Sequence, residues 1–450
     1  MTPATAPAAA SDRSLRLVAL AVAVLVPALA WLASGVIGPR GQAAAGAICF
    51  ISICAACSTN LRAVNWRTVG WGMGLQVALA VVILRLEIGG VRPGYAFFSA
   101  AAGLVKQFLD FTNAGSFFVF GPLANQELMG QIFGAANGFV FAAAALPTII
   151  FISSFFTVLY YFGVLQFIVW VMARAMMYAL KTSGAETLSA AANVFMGQTE
   201  APIIVKPYVP TMTRSELLAL MVGGMATISG GVMAVYISLG ADPIAILTTS
   251  VMAAPCGLYL SKLLLPETEV PATGGNIPLR VERHHVNAID AAAAGAGDGL
   301  TLALNVAAML IAFLAFIALI DGLLGYLWDG MTLARIFSVV FAPVSFLMGV
   351  PAKDIGPMAD LLGTKLVANE FVAFVKLTGQ YKDTLDPRSY VLATYALTGF
   401  ANLGSIGIQL GGIGGMAPSR RADLARLGMR ALLGGFLATL INACLASMLL

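Results

Sequence analysis

The sequence predicts an all-α polytopic membrane protein with two structural repeats, each holding a re-entrant hairpin and a broken transmembrane helix, and about nine spans in all. Three observations predict it. The chain is 59% hydrophobic and 10% charged over 450 residues, whereas soluble domains carry about 25% charge. Its apolar runs repeatedly reach about 20 residues, the length that crosses a bilayer. Two further apolar stretches carry a polar cluster at mid-length, each in the same place relative to its neighbours in one half of the chain.

The first 13 residues are rich in Ala, Pro and Ser and read as a disordered tail. Arg13 and Arg16 then precede the apolar run Leu17 to Ile37, the body of a span at 14–37. That run is long for a signal peptide, and a second apolar segment follows at once after Pro39-Arg40, so it reads as a retained, extra first helix. Spans follow at 43–59, 68–86, 146–178, 213–239, 243–265, 297–325, 386–413 and 424–450. Arg13 and Arg16 put the N-terminus in the cytoplasm, and Arg62 and Arg67, two spans later, return to that side. Nine crossings place the C-terminus outside.

Residues 43–137 read as N-terminal scaffold helices that end in an interfacial segment, Tyr95 to Asn137, rich in Phe, Gly and Asn. The longest hydrophilic loop, 266–290, separates a first repeat, 146–265, from a second, 297–450. Within the repeats, 187–207 and 355–380 are too interrupted for plain spans and too apolar for loops. Re-entrant hairpins fit both, with polar tips buried in protein. Each is followed by a span weakened by glycines, at 223, 224, 230 and 231 in the first repeat and at 399, 404, 407, 411 and 412 in the second. Paired interruptions of this kind are the sequence pointer to a transporter's binding site.

Composition excludes several functions. The formal net charge is +4, with no basic cluster dense enough for nucleic acid. Cys49, Cys54, Cys57, Cys256 and Cys444 lie in apolar segments and read as packing residues. The two histidines, His284 and His285, are adjacent in the polar loop and have no metal-ligand spacing. No Ser/His/Asp set, metal cluster or nucleotide-binding loop supports an enzyme.

The candidate site is polar and uncharged apart from two carboxylates. Gln198, Thr199 and Glu200 lie at the first hairpin tip, Glu370 at the second, and Asn402 and Ser405 at the second break. Ionisable groups within spans are costly and mark function. The set holds donors and acceptors but no arginine or lysine aimed at an anion. It suits a neutral, hydroxyl- and amide-bearing solute such as a nucleoside. The alternative is that these groups bond one another and lock the hairpins, with Lys365 pairing Glu370. Asn193, Thr227-Ile228 and Val232 are candidates for a cation site built from hard oxygens and freed carbonyls, or Asn193 is simply a helix cap.

At these motifs the sequence resembles the concentrative nucleoside transporter family. The matching stretches include NWRTVGWGMGLQ at 65–76, AANVFMGQTEAP at 191–202, PETEVP at 266–271, KLVANEFVAF at 365–374 and GFANLGSIGIQLGG at 399–412. The resemblance implies a homotrimer in the bacterial inner membrane, with a scaffold part and a transport part that crosses the bilayer. Gln198, Thr199 and Glu200 would face the nucleobase, and Glu370, Asn402 and Ser405 the ribose, with Phe400 beside them. Gly197 resembles members that accept purine as well as pyrimidine nucleosides, uridine among them. Co-transported sodium would take the side chains of Asn193 and Thr227 and carbonyls of Thr227 or Ile228 and of Val232. Proton-coupled relatives tend to lose that Asn, so its presence favours sodium; proton coupling through Glu200 or Glu370 is the alternative.

Overall fold

Helix breaks, rather than helices, organise this molecule. The structure, a computed structural model, describes residues 6–134, 138, 140–274 and 285–450. Before the first repeat come α1 (Ala6–Leu32), α2 (Ser34–Ala56), α3 (Trp66–Leu84), α4 (Pro93–Phe120), α5 (Gln126–Phe133) and α6 (Phe141–Ala144). The first repeat holds α7 (Leu146–Tyr161), α8 (Val164–Leu180), hairpin legs α9 (Gly184–Ala192) and α10 (Ala201–Ile204), a broken pair α11 (Arg214–Ala226) and α12 (Gly230–Leu239), and α13 (Pro243–Leu264). The second holds α14 (Ala288–Leu327), α15 (Leu333–Val340), α16 (Ala342–Leu347), hairpin legs α17 (Ile355–Val367) and α18 (Glu370–Thr378), a broken pair α19 (Pro387–Leu397) and α20 (Leu403–Met416), and α21 (Arg421–Leu449).

The two repeats follow the same order and interlock: α11 packs on α21, and α19 packs on α13. Small residues permit the approach. A Cβ on Gly435 of α21 would stand 2.5 Å from Met225 Cβ of α11, the close helix contact favoured where lipid supplies no hydrophobic drive. α11, α13 and the C-terminal two-thirds of α21 are buried almost throughout. α1, by contrast, bears exposed Leu17, Leu20, Leu25 and Leu29 along its length, a surface suited to lipid.

Eight apolar stretches among the described residues are long enough to cross a membrane. The ninth expected span, 386–413, is the interrupted pair α19 and α20, too short singly. Several expected boundaries differ. The disordered tail assigned to 1–13 is partly helical, since α1 begins at Ala6, and residues 1–5 lie outside the described residues. The interfacial segment 95–137 is dominated by a single 28-residue helix, α4; its glycines and asparagines are tolerated inside the helix, and residues 135–137 lie outside the described residues. The single span 146–178 is two helices, because Gly163 at φ 77° ends one and starts the other. α14 is longer than the expected 297–325: its 40 residues reach about 60 Å, more than a bilayer's thickness. Of the polar loop 266–290, residues 275–284, His284 included, lie outside the described residues.

A buried polar cluster ties the base of the first hairpin to α13. Ser183 and Glu186 form a capping box on α9, and Thr213 and Glu216 form one on α11. Glu186 pairs with Lys262 of α13 at 2.6 Å, with both side chains at most 7% exposed. Lys262 also reaches Ser215 Oγ (2.9 Å) and Glu267 (3.4 Å), which in turn accepts from Thr213 Oγ1 (2.7 Å). Lys262→Met leaves the buried Glu186 charge uncompensated and is expected to cost about 3–5 kcal/mol. Adding Glu186→Gln should recover some of that loss. Thermal unfolding of the purified protein checks both, and a Lys262→Met protein melting with the parent would contradict the analysis.

Candidate binding site

The first hairpin turns between α9, which ends at Ala192 with Asn193 as its C-cap, and α10, which begins at Ala201 with Pro202 in its first turn, where no N–H partner is needed. Between them the Gly197 N–H donates to Glu200 Oε2 at 3.0 Å and closes the tip. The tip is docked on the first break: the Gly230 N–H donates to the Phe195 carbonyl at 2.8 Å. It is also docked on α20, where a Cβ on Gly412 would lie 2.6 Å from Thr199 Cγ2. In the second hairpin Asn369 caps α18 by accepting from Val372 N–H (2.8 Å), which makes Glu370 the first residue of that helix. Asn402 caps α20 in the same way, accepting from Ser405 N–H (2.8 Å). The two breaks meet: Phe400 N–H donates to the Thr227 carbonyl at 3.1 Å. Gly399, at φ +153°, brings the chain close enough that a Cβ there would strike Thr439 Cγ2 at 2.6 Å.

These connections converge on one cavity of about 160 Å³, many times the roughly 10–15 Å³ that holds a single water. Gly197, Gln198, Thr199, Glu200, Glu370, Phe400, Asn402 and Ser405 all line it, together with Val232. Its polar groups are partly paired with one another. Gln198 Nε2 donates to Ser405 Oγ (3.2 Å), and Asn402 Nδ2 donates to Glu370 Oε2 (2.9 Å). Acceptor capacity remains: Gln198 Oε1 is buried without a partner, and a carboxylate has about four lone-pair sites. Lys365 does not pair with Glu370; its ammonium donates to the Ala396 carbonyl (2.7 Å) and Thr439 Oγ1 (2.9 Å).

Two carboxylates and no lysine or arginine line this cavity among the described residues. The N-caps of α12, α18 and α20, namely Ser229, Asn369 and Asn402, line it as well. Three helix N-termini therefore offset the negative charge, at roughly +0.5 each. The balance disfavours an anion and suits a neutral solute with donor hydroxyls. Glu200 and Ser229 also line a larger cavity of about 320 Å³ along α7, with Tyr160, Tyr161 and Asp298.

The other candidate residues sit behind the first hairpin tip. Asn193 is fully buried and neither atom of its amide has a partner. Its Nδ2 would lie 3.0 Å from a Cβ on Gly223, one turn before Thr227. Thr227 and Ile228 are buried in the break, and Thr227 Oγ1 donates to the Gly223 carbonyl (2.9 Å). α9 and α11 both end here, which brings two negative helix-dipole ends beside the Asn193 amide, while the Thr227 carbonyl accepts the Phe400 N–H (3.1 Å). The unpaired Asn193 amide oxygen at these negative helix ends is a donor suited to a hard cation.

Sequence reasoning missed Tyr236, whose hydroxyl donates to Glu370 Oε1 at 3.0 Å. It missed Gln409, which donates to the Met221 carbonyl at 2.9 Å. It also missed the apolar wall of Leu302, Val306 and Met309 on α14. A lone tyrosine in an apolar run carries no signal of its own; only the fold brings it to the carboxylate.

Three family descriptions match successive stretches of the chain: Na+ dependent nucleoside transporter N-terminus at 45–123, nucleoside recognition (Gate) at 142–243, and Na+ dependent nucleoside transporter C-terminus at 245–447. Mouse sodium/nucleoside cotransporter 1 is 41% identical over 425 residues, which is 90% of this chain and 63% of the mouse protein; this chain thus spans less than two thirds of that relative. A Haemophilus influenzae uncharacterized transporter is 42% identical, over 90% of this chain and 96% of its own. The structure of CNTnw in an inward-facing substrate-bound state superposes with a TM-score of 0.86 at 40% identity, over 91% of this chain and 97% of that one. A CNTnw variant in an outward-facing state gives 0.84 at 39%.

Each unpaired buried polar atom costs about 1–3 kcal/mol. Asn193→Leu removes two of them and is expected to raise the melting temperature in potassium buffer. A lower melting temperature in the same buffer would mean that the amide is satisfied within the protein.

Proposed function

We propose a function from one premise: the chain belongs to the concentrative nucleoside transporter family, a family of transporters rather than enzymes. From that premise we propose that this multi-pass membrane protein is a secondary active symporter that imports nucleosides across the bacterial inner membrane on the sodium gradient. The observation that carries the reading is convergence: all eight polar or flanking residues of the two tips and the second break line one cation-free cavity. Gln198, Thr199 and Glu200 present an amide, a hydroxyl and a carboxylate to the edge of the base. Glu370, Asn402 and Ser405 take the ribose hydroxyls, Phe400 flanks the sugar, and Gly197 leaves room for purines beside pyrimidines. Sodium enters as a second substrate at the side chains of Asn193 and Thr227, with carbonyls of Thr227 or Ile228 and of Val232.

Sodium binds first, offsets the negative dipole ends of α9 and α11, and fixes the first hairpin against the break. The nucleoside then bridges both hairpins, and the bridged unit moves across the membrane within a trimeric scaffold. Wild-type protein in proteoliposomes should accumulate labelled uridine under an inward sodium gradient at matched pH, and lose accumulation when potassium replaces sodium. Accumulation driven only by a pH gradient would move coupling to a carboxylate. No uridine movement under either gradient, from folded protein, would overturn the substrate assignment.

A further inference from the structure

Tyr236 is buried to 0% exposure in α12, one helical turn beyond Val232, on the same face of that helix. Its ring is stacked on Phe374 at 4.0 Å and 19° and meets Phe371 edge-on at 5.3 Å, so its direction is set by two side chains of the second hairpin. Its hydroxyl donates to Glu370 Oε1 at 3.0 Å, while Asn402 Nδ2 serves Oε2 at 2.9 Å. Each carboxylate oxygen thus has one fixed donor and keeps capacity for another. Asn402 belongs to the same repeat as Glu370. Tyr236 belongs to the other one, on the helix whose first turn, Ser229 to Val232, leaves the first break.

We infer that Tyr236 is a positioning residue: it holds the Glu370 carboxylate towards the solute's hydroxyls, and it carries the state of the ion-side break, through one turn of α12, to that carboxylate. The inference rests on the proposed function above. Ordering of the α12 N-terminus by a cation fixes the turn that aims Tyr236. A hydroxyl that is aimed removes the rotational freedom of Glu370 before the solute arrives, so the solute loses less entropy on binding. The chemistry concerned is hydroxyl recognition, not recognition of the base.

The test is equilibrium binding of uridine and of 2′,3′-dideoxyuridine to purified protein, at saturating sodium and in potassium, for the parent, Tyr236→Phe, Glu370→Gln and the double variant. A hydrogen bond to a charged group removed by Tyr236→Phe should weaken uridine about tenfold in sodium. It should reduce the ratio between the sodium and potassium affinities and leave dideoxyuridine unchanged. Added to Glu370→Gln it should weaken uridine no further, because both act through one carboxylate. Phe374→Leu, which loosens the ring and keeps the hydroxyl, should shift the same quantities the same way by less, and it serves if Tyr236→Phe does not fold. Equal losses for both ligands, additive effects with Glu370→Gln, or an unchanged sodium ratio would overturn the inference. Failure of the parent protein to bind uridine in sodium would instead overturn the functional reading beneath it.

Discussion

Every broken helix in a membrane leaves backbone N–H and C=O groups with no water to bond, and satisfying them is the constraint on which this structure depends. The chain breaks helices at Thr227–Ser229 and at Thr398–Asn402 and turns two hairpins beside them. Some of the backbone is satisfied by pairing one interruption with another. Phe400 N–H bonds the Thr227 carbonyl across the repeats, and Gly230 N–H bonds the Phe195 carbonyl within the first. Ser229, Asn369 and Asn402 cap the helices that restart. Near the site, buried side-chain atoms without a partner among the described residues include the Asn193 amide, beside the ends of α9 and α11, Gln198 Oε1 in the cavity between the tips, and Gln409 Oε1.

The same logic sorts the buried charges. Lys262 and Glu186 anchor the root of the first hairpin to α13. Lys376 pairs with Asp360 at 3.0 Å and holds the two legs of the second hairpin together. Lys365 is satisfied by the Ala396 carbonyl and Thr439, with the Phe436 ring 5.5 Å away. The cations are thus used away from the cavity, and the carboxylates of Glu200 and Glu370 face it against helix N-termini. A cavity whose described lining lacks ammonium groups suits a neutral solute better than a phosphorylated one.

Much of this was legible in the sequence because interruptions leave local marks. The glycines of 223–231 and 399–412 and the polar tips Gln198-Thr199-Glu200 and Asn369-Glu370 signalled breaks, and the lining residues followed from them. The first break, Thr227–Ser229, falls between the two glycine pairs 223–224 and 230–231: the first pair lies inside α11, and Gly230 and Gly231 open α12. Features that depend on one residue or on tertiary contact were hidden. Gly163 alone divides α7 from α8 inside an unbroken apolar run, and α4 stays helical through glycines and asparagines that read as a broken stretch. Tyr236 and the α14 wall reach the site only through packing. α1 is tied to the turn after α2 by Asp12, which accepts the Leu61 N–H at 2.8 Å, a contact spanning 49 residues.

The central claim is that an ion at the first break and a solute between the tips share one free energy of coupling. Calorimetric titration of uridine with and without sodium, and of sodium with and without uridine, tests it directly on one preparation. The account predicts that each ligand tightens the other by the same factor, as linkage requires. Equal uridine affinity in sodium and in potassium would contradict it.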